Sequence, residues 1–224
     1  MVGAIQLPYC NSFSSIWQYR DAVLDGGIDF LRVIGESCPI CGSRGCYREI
    51  TGYFRGVIEL FPAYREGEVV IARFQCVATG RTFSLLPTQL IPYHRYTAAS
   101  VVGALLLAME HRRSLFAVSE KRLDVKSRAN GYLLLAWLLV LVRGLRRAHP
   151  WLQNRYALSA MRSAKGRRVA EWLAELRAYL TALLPRASPE IGCELARVVA
   201  VYAHETGRFV FGVPSQERAA RLAR

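Results

Sequence analysis

The stretch Cys38-Pro39-Ile40-Cys41-Gly42-Ser43-Arg44-Gly45-Cys46 places three thiols close together, and a fourth follows in Cys76-Val77-Ala78-Thr79-Gly80. Cys-x-x-Cys-Gly is the form of a metal knuckle, a tight turn that lets two thiolates bind one ion. A second knuckle should end on a cysteine, but this chain has Thr79 there. Cys46 is close enough in sequence to supply the missing ligand. The spacing therefore predicts a zinc-ribbon-like site formed by Cys38, Cys41, Cys46 and Cys76.

Two alternatives to this four-thiol site stay open from the sequence. A histidine or a water molecule can complete a three-cysteine site, and His94 is the nearest histidine after Cys76. The ribbon can also be a metal-free relic held by packing alone. A redox role for Cys38 and Cys41 is disfavoured, because their motif does not begin a helix that follows a strand.

The residues around the cysteines favour β-structure. Alternating and β-branched residues predict strands over Tyr47–Leu60 and Val69–Gln75, with Pro62–Glu66 and Gly67 forming the turn between them. Residues 37–87 are therefore predicted to be a zinc-ribbon-like β module. Residues 1–36 are harder to interpret: the pattern indicates a short helix over Ser14–Leu24 and a strand over Phe30–Ile34.

From residue 88 the apolar period becomes helical, so residues 88–224 are predicted to form a basic helical domain. The predicted fold class is α+β, a small β module followed by this mostly α-helical domain. The predicted helices span 97–112 (capped by Thr97), 114–123, 132–147 (stopped by His149-Pro150), 165–184 and 189–206, with a short strand over 208–213 and a terminal helix over 214–224.

Composition places the chain among folded proteins of a reducing compartment. It has 224 residues, of which 52% are hydrophobic, enough for a real core. The N-terminus lacks a basic segment followed by a long apolar one, so a signal peptide is not expected. The longest apolar run, 132–142, is too short to cross a bilayer. A cytoplasmic location without a membrane partner is the expectation.

The net charge of +13 is unevenly distributed. Residues 1–87 contain 8 basic and 8 acidic side chains, whereas residues 88–224 contain 22 basic and 9 acidic ones. Such segregation predicts a polyanionic partner for the second half, with DNA favoured over RNA. Most of the basic residues are arginines, whose guanidinium group can form bidentate hydrogen bonds to phosphate. A GC-rich genome also enriches arginine without any functional reason.

The basic residues of the second half cluster near predicted helix ends and turns, where side chains and free backbone N–H groups can both reach phosphate. The predicted nucleic-acid-binding residues are Arg112, Arg113, Lys121, Arg122, Lys126, Arg128, Arg143, Arg146, Arg147, Lys165, Arg167 and Arg168.

The segment from Arg73 to Tyr96, Arg-Phe-Gln-Cys-Val-Ala-Thr-Gly-Arg-Thr-Phe-Ser-Leu-Leu-Pro-Thr-Gln-Leu-Ile-Pro-Tyr-His-Arg-Tyr, together with the upstream Cys-Pro-Ile-Cys-Gly, carries a family resemblance. It resembles the zinc-ribbon front end of small bacterial proteins associated with insertion sequences and transposases. The resemblance covers residues 37–100 and continues weakly to Leu152. It implies a helix-turn-helix, here over 96–147, and a link to a mobile genetic element.

This chain departs from the family pattern in two places. Thr79 stands where a ligand cysteine is expected, which bears on metal binding. The presumed recognition helix, 132–142, is apolar all round, whereas a helix that reads bases should present polar side chains.

No arrangement typical of an enzyme is apparent. The chain has four aspartates, three of them before residue 30, and no metalloprotease, phosphate-loop or nucleophile-elbow motif. The sequence predicts a non-catalytic adaptor that binds nucleic acid through phosphates. The alternative is a protein-interaction or accessory subunit that docks onto a larger nucleoprotein complex, such as a transposition complex.

Overall fold

The computed structural model describes residues 5–9, 13, 15–61, 63–92, 94–110, 131–159, 168–183 and 191–211. In chain order its elements are β1 (Ile5–Tyr9), α1 (Ile16–Leu24), α2 (Phe30–Ile34), β2 (Tyr47–Glu59), β3 (Arg65–Cys76), β4 (Thr82–Pro87), α3 (Ala98–Glu110), α4 (Gly131–Tyr156), α5 (Val169–Leu183) and α6 (Ile191–Thr206). Strands thus precede a run of helices, and the predicted mixture of helix and strand is confirmed.

The strands form a sheet of order β1-β4-β3-β2. Strands β2, β3 and β4 are antiparallel, and β1 adds to the edge parallel to β4. The two predicted strands correspond to β2 and β3, with Tyr47 opposite Cys76 and Glu59 opposite Arg65. Arg65, Glu66 and Gly67 lie inside β3, opposite Glu59, Ile58 and Val57, so their prediction as turn residues was wrong.

Apolar side chains cover both faces of the sheet. One cluster joins α1 to odd-numbered positions of β3, with Ile16, Tyr19, Val69 and Ile71 fully buried. The other contains Ala72, Phe74, Phe83 and Leu85, with Ile34 and Ile40 packed against it. The segment before residue 37 therefore completes the sheet module. This module has its own core, which two strands and two knuckles alone could not provide.

The segment Phe30–Ile34 is a helix, so its prediction as a strand was wrong. Its apolar, β-branched composition favours a strand, but its ends favour a helix. The Asp29 carboxylate accepts a hydrogen bond from the Arg32 backbone N–H at 3.0 Å, and Gly35 follows with a φ of 80°. The helix at the front of the chain is confirmed as α1, with Ser15 as its N-cap.

Helices α3 to α6 share one large apolar core. Its centre is α4, where Leu134, Trp137, Leu138 and Leu141 are buried. Helix α3 begins as predicted, because the Thr97 hydroxyl accepts a hydrogen bond from the Ser100 backbone N–H at 3.2 Å. The apolar character of 132–142 is thus the signature of a central core helix.

Helix α4 continues through His149-Pro150 to Tyr156, so the prediction that this pair ends the helix was wrong. Proline removes the hydrogen bond to the carbonyl four residues earlier, that of Arg146, at a cost of about 3 kcal/mol. Packing on both sides of the proline offsets this cost: Leu145, Ala148 and Leu152 are all buried in the shared core.

The hairpin of β2 and β3 joins the two parts of the molecule. At one end, Ile58 and Leu60 enter the helical core, and Ile58 exchanges backbone hydrogen bonds with Arg95 and Thr97. At the other end, Tyr47 and Cys76 lead into the cysteine segments.

Several predictions fall outside the described residues. These are the helix over 114–123, the helix over 214–224 and the opening of the helices over 165–184 and 189–206. A polar turn that the sequence predicts over 124–131 also lies outside the described residues except for Gly131, which begins α4 instead. Residues 208–211, the described part of the strand predicted over 208–213, do not form a strand. None of the described helices combines the length and apolar character needed to cross a membrane.

Candidate metal centre

The two cysteine loops have the same backbone hydrogen bonds. In the first, Cys38 donates its N–H to Ser43 O at 2.9 Å and accepts from Gly42 N–H at 2.8 Å. In the second, Cys76 donates to Arg81 O and accepts from Gly80 N–H, both at 2.8 Å. In both loops, the cysteine N–H bonds to the carbonyl five residues later, and the cysteine carbonyl bonds to the N–H four residues later. Each loop is therefore a knuckle, and the second has formed without its second cysteine.

A glycine closes each knuckle. Gly42 and Gly80 have φ values of 75° and 68°, a conformation that side chains with a Cβ rarely adopt. Superposing the two patterns places Thr79 at the position of Cys41. The Thr79 hydroxyl accepts a hydrogen bond from the Arg81 backbone N–H at 3.3 Å. The threonine thus stabilises the turn, and a second metal ligand at this knuckle would have to come from another part of the chain.

Cys46 reaches the second knuckle because of the strand register. Tyr47 lies opposite Cys76, and the Cys46 carbonyl accepts a hydrogen bond from the Val77 N–H at 2.6 Å. Cys46, the residue just before β2, is thereby held beside the knuckle that lacks its second cysteine.

The structure brings the four predicted thiols together. The sulfur atoms of Cys38, Cys41, Cys46 and Cys76 all lie within 4.8 Å of one another. The Cys46 sulfur lies 2.9 Å from that of Cys41 and 3.7 Å from that of Cys76. Around a tetrahedral ion with metal–sulfur bonds near 2.3 Å, sulfur atoms are about 3.8 Å apart. Both of these distances are shorter than this value, and no two of the four sulfur atoms are more than 4.8 Å apart, so the four residues are close enough to hold a single metal ion.

The thiols are electrostatically unequal. A hydrogen bond from Cys46 is the main cause that lowers the pKa of Cys41 to about 6, with help from the Ser43 backbone N–H. The same contact raises the pKa of Cys46. A hydrogen bond from the Thr79 hydroxyl is the main cause that lowers the pKa of Cys76. Metal binding requires thiolates, so an ion would displace the protons that this group shares.

His94 lies in the connection between the sheet and α3, outside this group of four thiols. Its backbone carbonyl accepts a hydrogen bond from the Arg55 guanidinium. Burial, followed by the nearby Arg55 charge, lowers the pKa of His94. The alternative in which His94 completes a three-cysteine site is therefore not supported, because Cys46 is the fourth residue of the group.

Of the twelve predicted nucleic-acid-binding residues, four lie within the described part of the chain. Arg143 and Arg147 are exposed on α4, one turn apart, and Arg168 is exposed immediately before α5. The guanidinium of Arg147 also donates a hydrogen bond to the Val210 carbonyl at 3.3 Å. The remaining eight are outside the described residues: Arg112, Arg113, Lys121, Arg122, Lys126, Arg128, Lys165 and Arg167.

Arg146 has a structural contact that its sequence did not indicate. Two of its nitrogens, Nε and Nη2, donate to the two carboxylate oxygens of Glu175, each at 2.6 Å. Glu175 is buried, and its hydrogen bond raises the pKa of Arg146. The guanidinium also lies over the ring of Trp172, with Cζ 4.7 Å from the ring centroid. Arg146 therefore joins α4 to α5, unlike its neighbours Arg143 and Arg147.

Trp172 is an aromatic residue that was not among the predicted nucleic-acid-binding residues. Its ring also lies beside Arg143, whose Cζ is 5.8 Å from the ring centroid. Trp172 is half-buried, one turn beyond Arg168 on α5. We call Arg143, Arg147, Arg168 and Trp172 the α4–α5 basic face. The three arginines of this face were predicted from the sequence, whereas Trp172 was not, because its spacing of four residues from Arg168 is too common to indicate a site.

No protein-family model, no curated protein and no solved structure matches this chain.

Proposed function

We propose that this chain is a non-catalytic, zinc-binding adaptor that contacts nucleic acid through the phosphate backbone. The observation that supports the metal part is the convergence of four thiols at two knuckles with equivalent backbones. An all-sulfur tetrahedral set is typical of zinc or iron, and a set with no open position is typical of a structural ion. Zinc is the ion we propose.

The nucleic-acid part of the proposal is supported by charge. The whole net charge of +13 belongs to residues 88–224. On α4, the side that carries Leu138, Leu141 and Leu145 is buried in the core, which leaves Arg143 and Arg147 exposed on the other side. Exposed guanidinium groups with an aromatic neighbour suit contacts to phosphates and bases.

Helix α4 is a poor candidate for base reading in a major groove. Its central apolar residues fill the core, so this side of the helix cannot face a major groove without unfolding the helical part. Binding through the α4–α5 basic face should therefore depend on phosphate contacts and vary little with sequence. A setting in a mobile genetic element is part of the proposal and is supported by the sequence resemblance over residues 37–100.

The test is binding of the full chain to labelled duplex DNA, single-stranded DNA and RNA at about 50 and about 200 mM salt, where phosphate contacts weaken steeply. The variant is Arg143→Glu with Arg147→Glu. Loss of two phosphate contacts should weaken binding about tenfold and lower the slope of log affinity against log salt by about 2. The loss should be equal for unrelated sequences.

The matched control is Arg32→Glu with Arg44→Glu, which makes the same charge change on exposed arginines of the neutral half. It should bind nearly as wild type. Equal weakening by both pairs would mean that only net charge matters, and absence of binding at low salt would favour the protein-docking alternative.

A further inference from the structure

The four thiols differ in their access to solvent. Cys38 and Cys76, which open the two knuckles, are 2% and 0% exposed. Cys41 is exposed, and Cys46 is half-buried. Of these four residues, Cys41 is therefore the one that we expect a small oxidant in solution to reach first.

The nearest partner of that sulfur is also defined. Cys46 lies 2.9 Å from Cys41 but 3.7 Å from Cys76. A disulfide requires a sulfur–sulfur distance of about 2.05 Å, so the pair needs to approach by less than an ångström. Residues 42–45 between them include Gly42 and Gly45, both with positive φ, and no regular strand or helix. The exposed thiol and its resolving thiol are therefore on one short loop.

We propose that Cys41 and Cys46 form an oxidation site at which hydrogen peroxide produces an intramolecular disulfide. The Cys41 thiolate attacks one peroxide oxygen, the O–O bond breaks, and hydroxide leaves as Cys41 becomes a sulfenic acid. The sulfur of Cys46 then attacks the Cys41 sulfur, the S–O bond breaks, and water leaves with the Cys46 proton. Two thiols and one peroxide thus give one disulfide and two water molecules.

The disulfide removes two of the four metal ligands together. It takes the exposed ligand of the first knuckle and the ligand that replaces the missing cysteine of the second. Cys38 and Cys76 remain as thiols, one in each knuckle, and two ligands do not complete a tetrahedral site. Release of the ion on oxidation, and its return on reduction, follow from this geometry. This consequence rests on the proposed metal site, whereas the disulfide itself does not.

The test treats the full-length protein, purified under reducing conditions, with limiting hydrogen peroxide. Remaining thiols are then alkylated, the unreduced protein is digested, and disulfides are mapped by mass spectrometry. A chromogenic chelator follows zinc in parallel. We expect a Cys41–Cys46 disulfide, about one zinc ion released per disulfide, and reversal of both by dithiothreitol. Cys193→Ser, which changes a cysteine of α6, should react as wild type.

The outcomes separate the two ideas. A disulfide between other cysteines, a link between two chains, a sulfinic acid at Cys41, or unreacted thiols under excess peroxide would each overturn the oxidation site. Zinc retained by protein that carries the Cys41–Cys46 disulfide would overturn its effect on the metal. Protein that contains no zinc but forms this disulfide would sustain the oxidation site and contradict the proposed metal centre.

Discussion

The two ends of the β2–β3 hairpin are stabilised by different means. At the helical end, Ile58 and Leu60 join the core that contains Trp137 and the other buried residues of α4. At the cysteine end, two short loops meet at four thiols, of which Cys41 is exposed. The two ends should therefore respond to different perturbations. Substitutions that disturb core packing should destabilise the helical part, whereas loss of the metal ion should affect only the knuckles.

The largest expected effect is that of Gly144→Ala in α4. A Cβ built on Gly144 lies 1.9 Å from the Val210 carbonyl oxygen, so the 207–211 segment has to move. Alanine usually stabilises a helix relative to glycine by about 1 kcal/mol, but overpacking here should lower the free energy of unfolding by about 3 kcal/mol. Chemical denaturation of wild type and variant measures this difference in the free energy of unfolding.

The matched control for this variant is Gly27→Ala, where the nearest atom to the added Cβ is Ala22 O at an ordinary 3.4 Å. It should change stability by less than about 1 kcal/mol. If Gly144→Ala were as stable as wild type, the close contact between α4 and the 207–211 segment would be wrong.

Metal removal should have a smaller and local effect. The sheet has its own apolar clusters on both faces, so chelation should not unfold it. Backbone amides of residues 36–48 and 74–82 should exchange hydrogen at least about tenfold faster after chelation, because the knuckles lose the metal ion that joins them. Amides of α4 and α5 should not change. Hydrogen-exchange mass spectrometry measures both sets at once, and faster exchange throughout α4 would contradict local stabilisation.

The smallest expected effect is the pH dependence due to His94, which directly precedes Arg95, the hydrogen-bond partner of Ile58 at the helical end. Burial lowers its pKa in the folded chain, so below a pH of about 6.5 the unfolded chain binds a proton more readily than the folded one. Stability should therefore be complete above this pH and decline as the pH falls below it. His94→Gln should reduce the slope of unfolding free energy against pH between about 6.5 and 5. An unchanged slope would show that His94 is not the group responsible.

The sequence predicted the parts of the fold that depend on local signals. The Thr97 cap, the strand character of β2 and β3, and the grouping of Cys46 with the other cysteines were all accessible from residue type and spacing. The ends of α2 and α4 show the limit. At α2 the Asp29 cap and Gly35 outweighed a β-branched composition, and at α4 core packing around Leu152 outweighed Pro150.

In the candidate sites, too, the sequence indicated what depends on local residues but not what depends on long-range contacts. The strand register that holds Cys46 beside Val77 is a long-range property, so the sequence suggested the ligand without fixing its position. The pairing of Arg146 with Glu175 joins residues 29 apart in the chain, and no local pattern distinguishes Arg146 from Arg143 or Arg147. The sequence showed how many arginines the chain has, but not which of them make structural contacts inside the protein and which are exposed to solvent.

The central claim is that Cys46 replaces the ligand that the second knuckle lacks at Thr79. The most direct test is zinc content and affinity of three proteins: wild type, Cys46→Ser, and Cys46→Ser combined with Thr79→Cys. Wild type should contain about one zinc ion per chain, and Cys46→Ser should bind zinc at least about 100-fold more weakly. Because Thr79 has the position that Cys41 has in the first knuckle, the double variant should recover binding. Full zinc affinity in Cys46→Ser alone, or no recovery in the double variant, would contradict the claim.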